Sequence, residues 1–242
     1  MSTPRTMTGF WWRTRRNFGD ELGPFLLERL SGIELVHAAP ADAELVSVGS
    51  VLDLLPPDWE GTVVGSGKLH EHFQPSLDHA RVLALRGHLS ALGVPGDYAL
   101  GDPGLLVDEL VPQPPEPPHR LGLIAHWSDV NGVLAARFAH LEPLVIDVAD
   151  DPITVIQQIA SCERLVTSSL HGVVVADAYG IPRRAERFPY IDKPYEGGDF
   201  KFHDYASAIN TPFEFGVMQR PHRADVERRQ AELHDVFKEL QT

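Results

Sequence analysis

One cysteine, Cys162, is all the thiol chemistry that 242 residues provide, so no intrachain disulfide and no paired-cysteine metal motif exists. Its setting, "IASCERLV", reads as an apolar background that buries an inert thiol. Positive charge is scarce as well: 21 Lys and Arg stand against 34 Asp and Glu, a net −13. That balance argues against general binding to nucleic acid or to an anionic membrane surface. Long apolar runs are missing too. The N-terminus has no uninterrupted hydrophobic core of the ~7–15 residues a signal peptide needs, and no stretch reaches the ~18 residues of a membrane span. The expectation is a soluble, cytoplasmic protein without an integral membrane segment, long enough for one compact domain or two small ones.

What the chain does contain is alternation. Short runs rich in Val, Leu and Ile at 43–50, 61–67, 80–87, 120–127, 142–148 and 162–169 read as buried strands ending in Gly, Ser or His. Helical patterns at 23–32, 88–93, 151–161 and 171–180 lie among them. Asp151-Pro152 supplies a cap and a first-turn proline, and Gly180 with Pro182 supplies a stop. This order predicts an α/β fold with mostly parallel, doubly wound sheets. "LVPQPPEPPHR" (110–120) packs five prolines into eleven residues, a stiff connector. It divides the chain into halves at 1–111 and 119–215, with 112–118 as linker and 216–242 as a C-terminal segment. Within that segment, 223–240 forms an amphipathic helix with Val226, Leu233, Val236, Phe237 and Leu240 on one stripe. The stripe docks on the chain itself or on a second copy, which would make a homodimer.

Three strand-to-helix junctions could carry chemistry, since open α/β sheets bind ligands there. In "RNFGDELGP", Gly19 permits an unusual turn, Asp20 suits a helix cap and Glu21 the first turn. Asn17 and the group Arg13, Arg15, Arg16 beside them form either a solvated face or the flank of an anion site. In "VTSSLHGVVVADAYGIP", Ser168, Ser169, His171 and Gly172 open a helix whose free N–H groups favour an anion, and His171 could deliver a proton. In "GLIAHWSD", His126 ends a strand, as Arg86 does in "LALRGHLS"; an Arg and two His suit an anionic ligand. "GSGKLH" adds Lys68 and His70 without the spacing of a P-loop.

Taken together, "NFGDELGPFLLERLSG", "RGHLSALG", "LGDPGLLV", "LIAHWSD" and "SSLHGVVVADAYGIP", with a fainter "FKFHDYASAI", resemble the polysaccharide pyruvyl transferase family over about residues 10 to 210. The resemblance implies two Rossmann-like halves facing across a GT-B-like cleft. It also implies transfer of the enolpyruvyl group of phosphoenolpyruvate onto two sugar hydroxyls, giving a pyruvate ketal and phosphate, with no cofactor beyond that donor. By the same likeness His171 and Arg86 hold or protonate the donor and His126 lies near it. Asn17 and the base, Asp20 or Glu21, stand on the acceptor side. Many members carry an arginine where this chain has Ser169, so Arg86, Arg16, Lys68 or Lys193 compensates or the donor is held differently. Two other readings fit the residues: a nucleotide-sugar glycosyltransferase of similar architecture, and a carbohydrate or phospho-ligand binding protein without catalysis.

Overall fold

Short apolar runs that end in Gly, Ser or Asp break into brief strands, and the polar joints between them start helices at capping residues. The computed structural model describes residues 5–129, 132–187 and 198–241. The first part holds β1 (Arg5–Phe10), α1 (Phe18–Leu26), β2 (Ile33–His37), β3 (Leu45–Val46), β4 (Thr62–Ser66) and β5 (Arg81–Leu85). These are followed by α2 (His88–Ala91), β6 (Ala99–Leu100) and α3 (Val107–Leu110). Beyond the prolines come β7 (Gly122–Ile124), α4 (Val133–Phe138), β8 (Leu144–Ile146), α5 (Pro152–Ala160), β9 (Leu165–Thr167) and α6 (Leu170–Ala178). The chain closes with β10 (Arg183–Ala185), α7 (Phe200–Ala208), β11 (Met218–Gln219) and α8 (Arg223–Leu240).

Two sheets result. The first runs β2-β1-β3-β4-β5-β6, every pair parallel. The second runs β8-β7-β9-β10-β11, parallel except for the β10–β11 pair at its edge. In both, the first strand in sequence sits between the second and the third, the doubly wound order with one switch point per sheet. Those points fall beyond the ends of β1 and β3 in one sheet and of β7 and β9 in the other.

Two readings of the first junction need correction. Helix α1 starts at Phe18 rather than at residue 23, because Asn17 is its N-cap: the Asn17 side chain accepts the Gly19 N–H at 3.3 Å. Asp20 therefore lies inside the first turn and caps nothing. Gly19 is helical and does not have a positive φ. It is needed for closeness: a Cβ there would stand 2.2 Å from the ring of His171 on α6. After α1 the helix widens into a π turn over Leu27–Ser31 and ends at Gly32, whose φ of 70° is left-handed.

One core serves both sheets. Phe18, Leu22 and Leu26 of α1 lie in the same buried cluster as Ile124, Val148, Ile156 and Val174. The Phe18 N–H donates to the Val148 carbonyl at 2.8 Å across the divide. Every one of the nine residues of helix α6 is buried, so it is enclosed on all sides, and its two polar side chains, His171 and Asp177, face the buried partners Asp102 and Arg183. Arginine enters the interior where it is paired. Arg183 of β10 is fully buried against Asp177, 3.1 Å from Nε to Oδ1, and burial pushes the Asp177 carboxyl up to about 6 against that pull. Cys162 is buried, with its thiol pushed up to about 11 by desolvation. Helix α8 turns its stripe of Val226, Leu233, Val236, Phe237 and Leu240 inward, onto β5, β6 and the 103–106 turn. The Gln230 amide there donates to the Leu105 carbonyl at 2.8 Å. Among the described residues no helix is long and apolar enough to cross a membrane.

A core shared in this way melts as one unit. Leu22→Ala is expected to cost about 2–5 kcal/mol and to keep a single transition. Urea unfolding followed by tryptophan fluorescence and by far-UV circular dichroism should give coincident curves.

Candidate active site

Residues that follow the switch-point strands of both sheets meet between α1 and α6. After β1 comes Asn17, buried, whose amide donates to Asp20 Oδ2 at 2.8 Å. Asp20 is held above the usual carboxylate range by burial, although His171, Asn17 and Lys201 all pull it down. The charge of Glu21 adds a small lift to Asp20, and the nearby His171 charge opposes it.

From the second sheet come two histidines. His126, just past β7, is buried; its N–H donates to Ser168 Oγ at 2.9 Å. Its Nδ1 accepts the Ser128 N–H at 3.3 Å and lies 2.8 Å from Ser128 Oγ. Burial, Lys201 and His171 together drive the His126 imidazolium down to about 3, so this ring is neutral at physiological pH. His171 sits in the first turn of α6, buried, edge-on to Phe18 with ring centroids 6.4 Å apart. Its Nδ1 lies over Gly19 and its Nε2 faces Asp102 Oδ2 at 3.6 Å. Ser169 occupies the N-cap of α6 but its side chain caps nothing, and its N–H donates to Thr167 Oγ1 at 2.9 Å.

Several expected ligand residues do other work. Arg86 is fully buried: Nε bonds Asp204 Oδ2 at 2.8 Å, Nη1 bonds Ser50 Oγ, and Nη2 bonds the Lys68 carbonyl at 2.7 Å. Its guanidinium is a strut inside the protein rather than an open clamp. Lys68 is likewise buried, its Nζ donating to the carbonyls of Glu71 and Phe73 at 3.2 and 3.0 Å. Gly172 touches no open space, since a Cβ there would stand 2.4 Å from Thr167 Oγ1; it lets α6 press on β9. Arg16 is exposed. It lies near Asp151, which hydrogen bonds from Thr154 hold below the usual range with a smaller contribution from Arg16. Lys193 lies outside the described residues.

Among the described residues, Lys201 in the first turn of α7 brings a cation to the cluster. Burial and Arg86 lower its ammonium to about 8, against the opposing pull of Asp20. Asp204, one turn on, is clasped by Arg86 and by the N–H and hydroxyl of Ser90, which fixes the face of α7 that carries Lys201. "FKFHDYASAI" was the signal for it, yet a lysine flanked by phenylalanines gives no sign in sequence that it points inward. Asp102 went unread for a similar reason: Asp-Pro-Gly reads as a turn and nothing more. Beside His126, Arg15 stacks over Trp127 at 5.2 Å, and Trp127 abuts His126 with centroids 5.1 Å apart. A surface depression lined by Asp42, Pro56, Trp59 and Thr62 lies at the opposite, N-terminal ends of β3 and β4. Among the described residues no group of three or more His, Cys, Asp or Glu is arranged to hold a metal ion.

Residues 61–185, just over half of the chain, match the family model of polysaccharide pyruvyl transferases. The chain belongs to that family. The match contains Arg86, Asp102, His126 and His171, and pyruvyl transfer to a saccharide is the activity class the family carries, which makes the protein a transferase. Succinoglycan biosynthesis protein ExoV of Rhizobium meliloti (strain 1021) is 29% identical over 233 residues, 92% of this chain and 69% of that protein. Uncharacterized protein L143 of Acanthamoeba polyphaga mimivirus is 34% identical over 115 residues, 46% of this chain and 39% of its own. No solved structure matches the chain.

If Arg86 is a strut, removing it must unfold before it unbinds. Arg86→Met leaves Asp204 buried without its cation and is expected to cost about 3–5 kcal/mol. Urea denaturation checks this; a variant as stable as the parent would return Arg86 to the role of a ligand clamp.

Proposed function

We propose that this transferase moves the enolpyruvyl group of phosphoenolpyruvate onto two hydroxyls of a saccharide, forming a pyruvate ketal and releasing phosphate. The carrying observation is the meeting of Asp20, His126, His171 and Lys201 at the switch points of both sheets, in a chain that belongs to the pyruvyl transferase family. A GT-B-like arrangement, donor in one half and acceptor against the other, accords with that meeting. The relative named for succinoglycan biosynthesis supports a saccharide acceptor.

Each residue has a task. Phosphoenolpyruvate is small and bears two anionic groups, and Lys201 supplies the positive charge that Ser169 does not. The start of α6, with Ser168 and Ser169, offers N–H and hydroxyl donors to the phosphate. His126, neutral, orients without giving up a proton. His171 protonates C3, which makes C2 electrophilic. One acceptor hydroxyl then adds to C2 and passes its proton to Asp20, whose raised affinity for protons suits a general base. The C2–O bond to phosphate breaks with its electron pair on the leaving oxygen, the second hydroxyl bonds to C2 to close the ketal, and its proton leaves on the phosphate.

Phosphate release from phosphoenolpyruvate against a panel of saccharide acceptors, with products read by mass, tests this reading. His171→Ala is expected to lower turnover by about 10²–10⁴ with an unchanged circular dichroism spectrum. Phosphate release at parental rate would defeat the assignment, and turnover with sugar nucleotides in place of phosphoenolpyruvate would replace it. The alkaline side belongs to Lys201: below about pH 8 it is charged and above that it is neutral. kcat/KM for phosphoenolpyruvate should therefore fall as pH rises past 8 in the parent. Lys201→Arg stays charged and should carry the plateau to higher pH.

A further inference from the structure

Asp102 is wholly buried. Its Oδ1 accepts the Gly104 N–H at 2.9 Å and so starts the 103–106 turn. That task needs one oxygen, and Asn or Ser performs it as well. The other oxygen, Oδ2, faces His171 Nε2 at 3.6 Å. Both of these atoms are buried and, among the described residues, neither has a hydrogen-bond partner. At 3.6 Å they are not bonded, and a shift of about half an ångström would join them. Such pairs are often long before substrate arrives and tighten in the working complex. An ionised oxygen buried without a partner is strongly disfavoured, so the two atoms satisfy each other only if a proton lies between them.

We propose that Asp102 is the positioning residue of His171: it holds one proton on Nε2 and so leaves Nδ1 as the nitrogen that serves the substrate. This rests on the acid role given to His171 above. The surroundings agree. Phe18 and Gly19 of α1 pin the ring by contact. Asp20 on α1 and the neutral His126 after β7 lie within electrostatic reach of the ring, and Lys201 of α7 acts on both of these. Asp102 is the group set opposite Nε2. The ring enters the reaction as the imidazolium, with a proton on each nitrogen; the Nδ1–H bond breaks and its electron pair stays on the ring, leaving the neutral Nε2–H form. The π electrons of phosphoenolpyruvate form the new C3–H bond, and C2 takes the acceptor oxygen. The Nε2 proton does not move, and Asp102 takes up none.

Ring-¹⁵N histidine NMR on the full chain without substrate tests the pair, with His171→Gln identifying the signals. The parent should show Nε2 protonated and Nδ1 as the titrating nitrogen. Asp102→Asn keeps the cap on Gly104 but presents an N–H₂ to Nε2, so the neutral ring should move to the Nδ1–H tautomer. Turnover should drop about 10²-fold or more while KM for phosphoenolpyruvate stays within about threefold. A parent ring protonated on Nδ1 and bare on Nε2 overturns the proposal, and this needs no variant to fold. A folded Asp102→Asn with parental ring signals overturns it too. Because the spectra involve no substrate, a tautomer change without pyruvyl transfer faults the reaction assigned above and leaves the pair standing.

Discussion

The approach of α1 to α6, with the His171 ring lying on Gly19, is the contact on which the arrangement depends. Any side chain at position 19 would push the helices apart. With them would go the cluster, the largest of three, that Phe18, Leu22 and Leu26 share with the second sheet. The same closeness places Asp20 within the field of His171. Packing and chemistry are therefore one constraint here: a wider gap would lose hydrophobic burial and the carboxylate–imidazole pairing together.

A chain of net −13 spends several of its few cations inside. Arg86, Lys68 and Arg183 are all buried and all bonded to carboxylates or carbonyls. Arg86 holds α7 through Asp204. After burial, it is the next cause that lowers the Lys201 ammonium, an influence exerted through a field and a framework. Such pairs gain little net stability over apolar packing, but breaking one is costly, which makes them effective at fixing a single geometry.

Sequence patterning was informative where physics is local. The apolar runs at 61–67 and 80–87 contain β4 and β5, and the Asp151-Pro152 signal marks the cap of α5, where Asp151 accepts the Thr154 N–H. It was uninformative where a neighbour distant in sequence decides. β1, "RTMTGF", alternates too little to register, and "RRA" of β10 reads as surface until Asp177 is known to await it. β6 and β11 are two residues long, too short for any period. α3, α4 and α7 escaped for similar reasons. Among site residues, the histidines at strand ends were visible because the position itself carries meaning in α/β sheets. The bonds of Arg86 to Asp204, Ser50 and the Lys68 carbonyl were hidden, because an arginine at a strand end looks the same whether it faces solvent or Asp204. Lys201 and Asp102 needed the fold, since each becomes special only through what packs against it.

After β10 the chain does not stay with the second sheet. Helix α7 packs on α2, β11 returns to pair with β10, and α8 crosses again to cover β5 and β6. The first sheet is thus completed by residues 200–241, which are made well after its own strands. Until they arrive, Arg86 lacks Asp204 and the flank that Leu233 and Phe237 will cover is bare. A nascent first half is accordingly a client for chaperones during the seconds of synthesis that remain, and its long-range closure marks the protein as a slow folder.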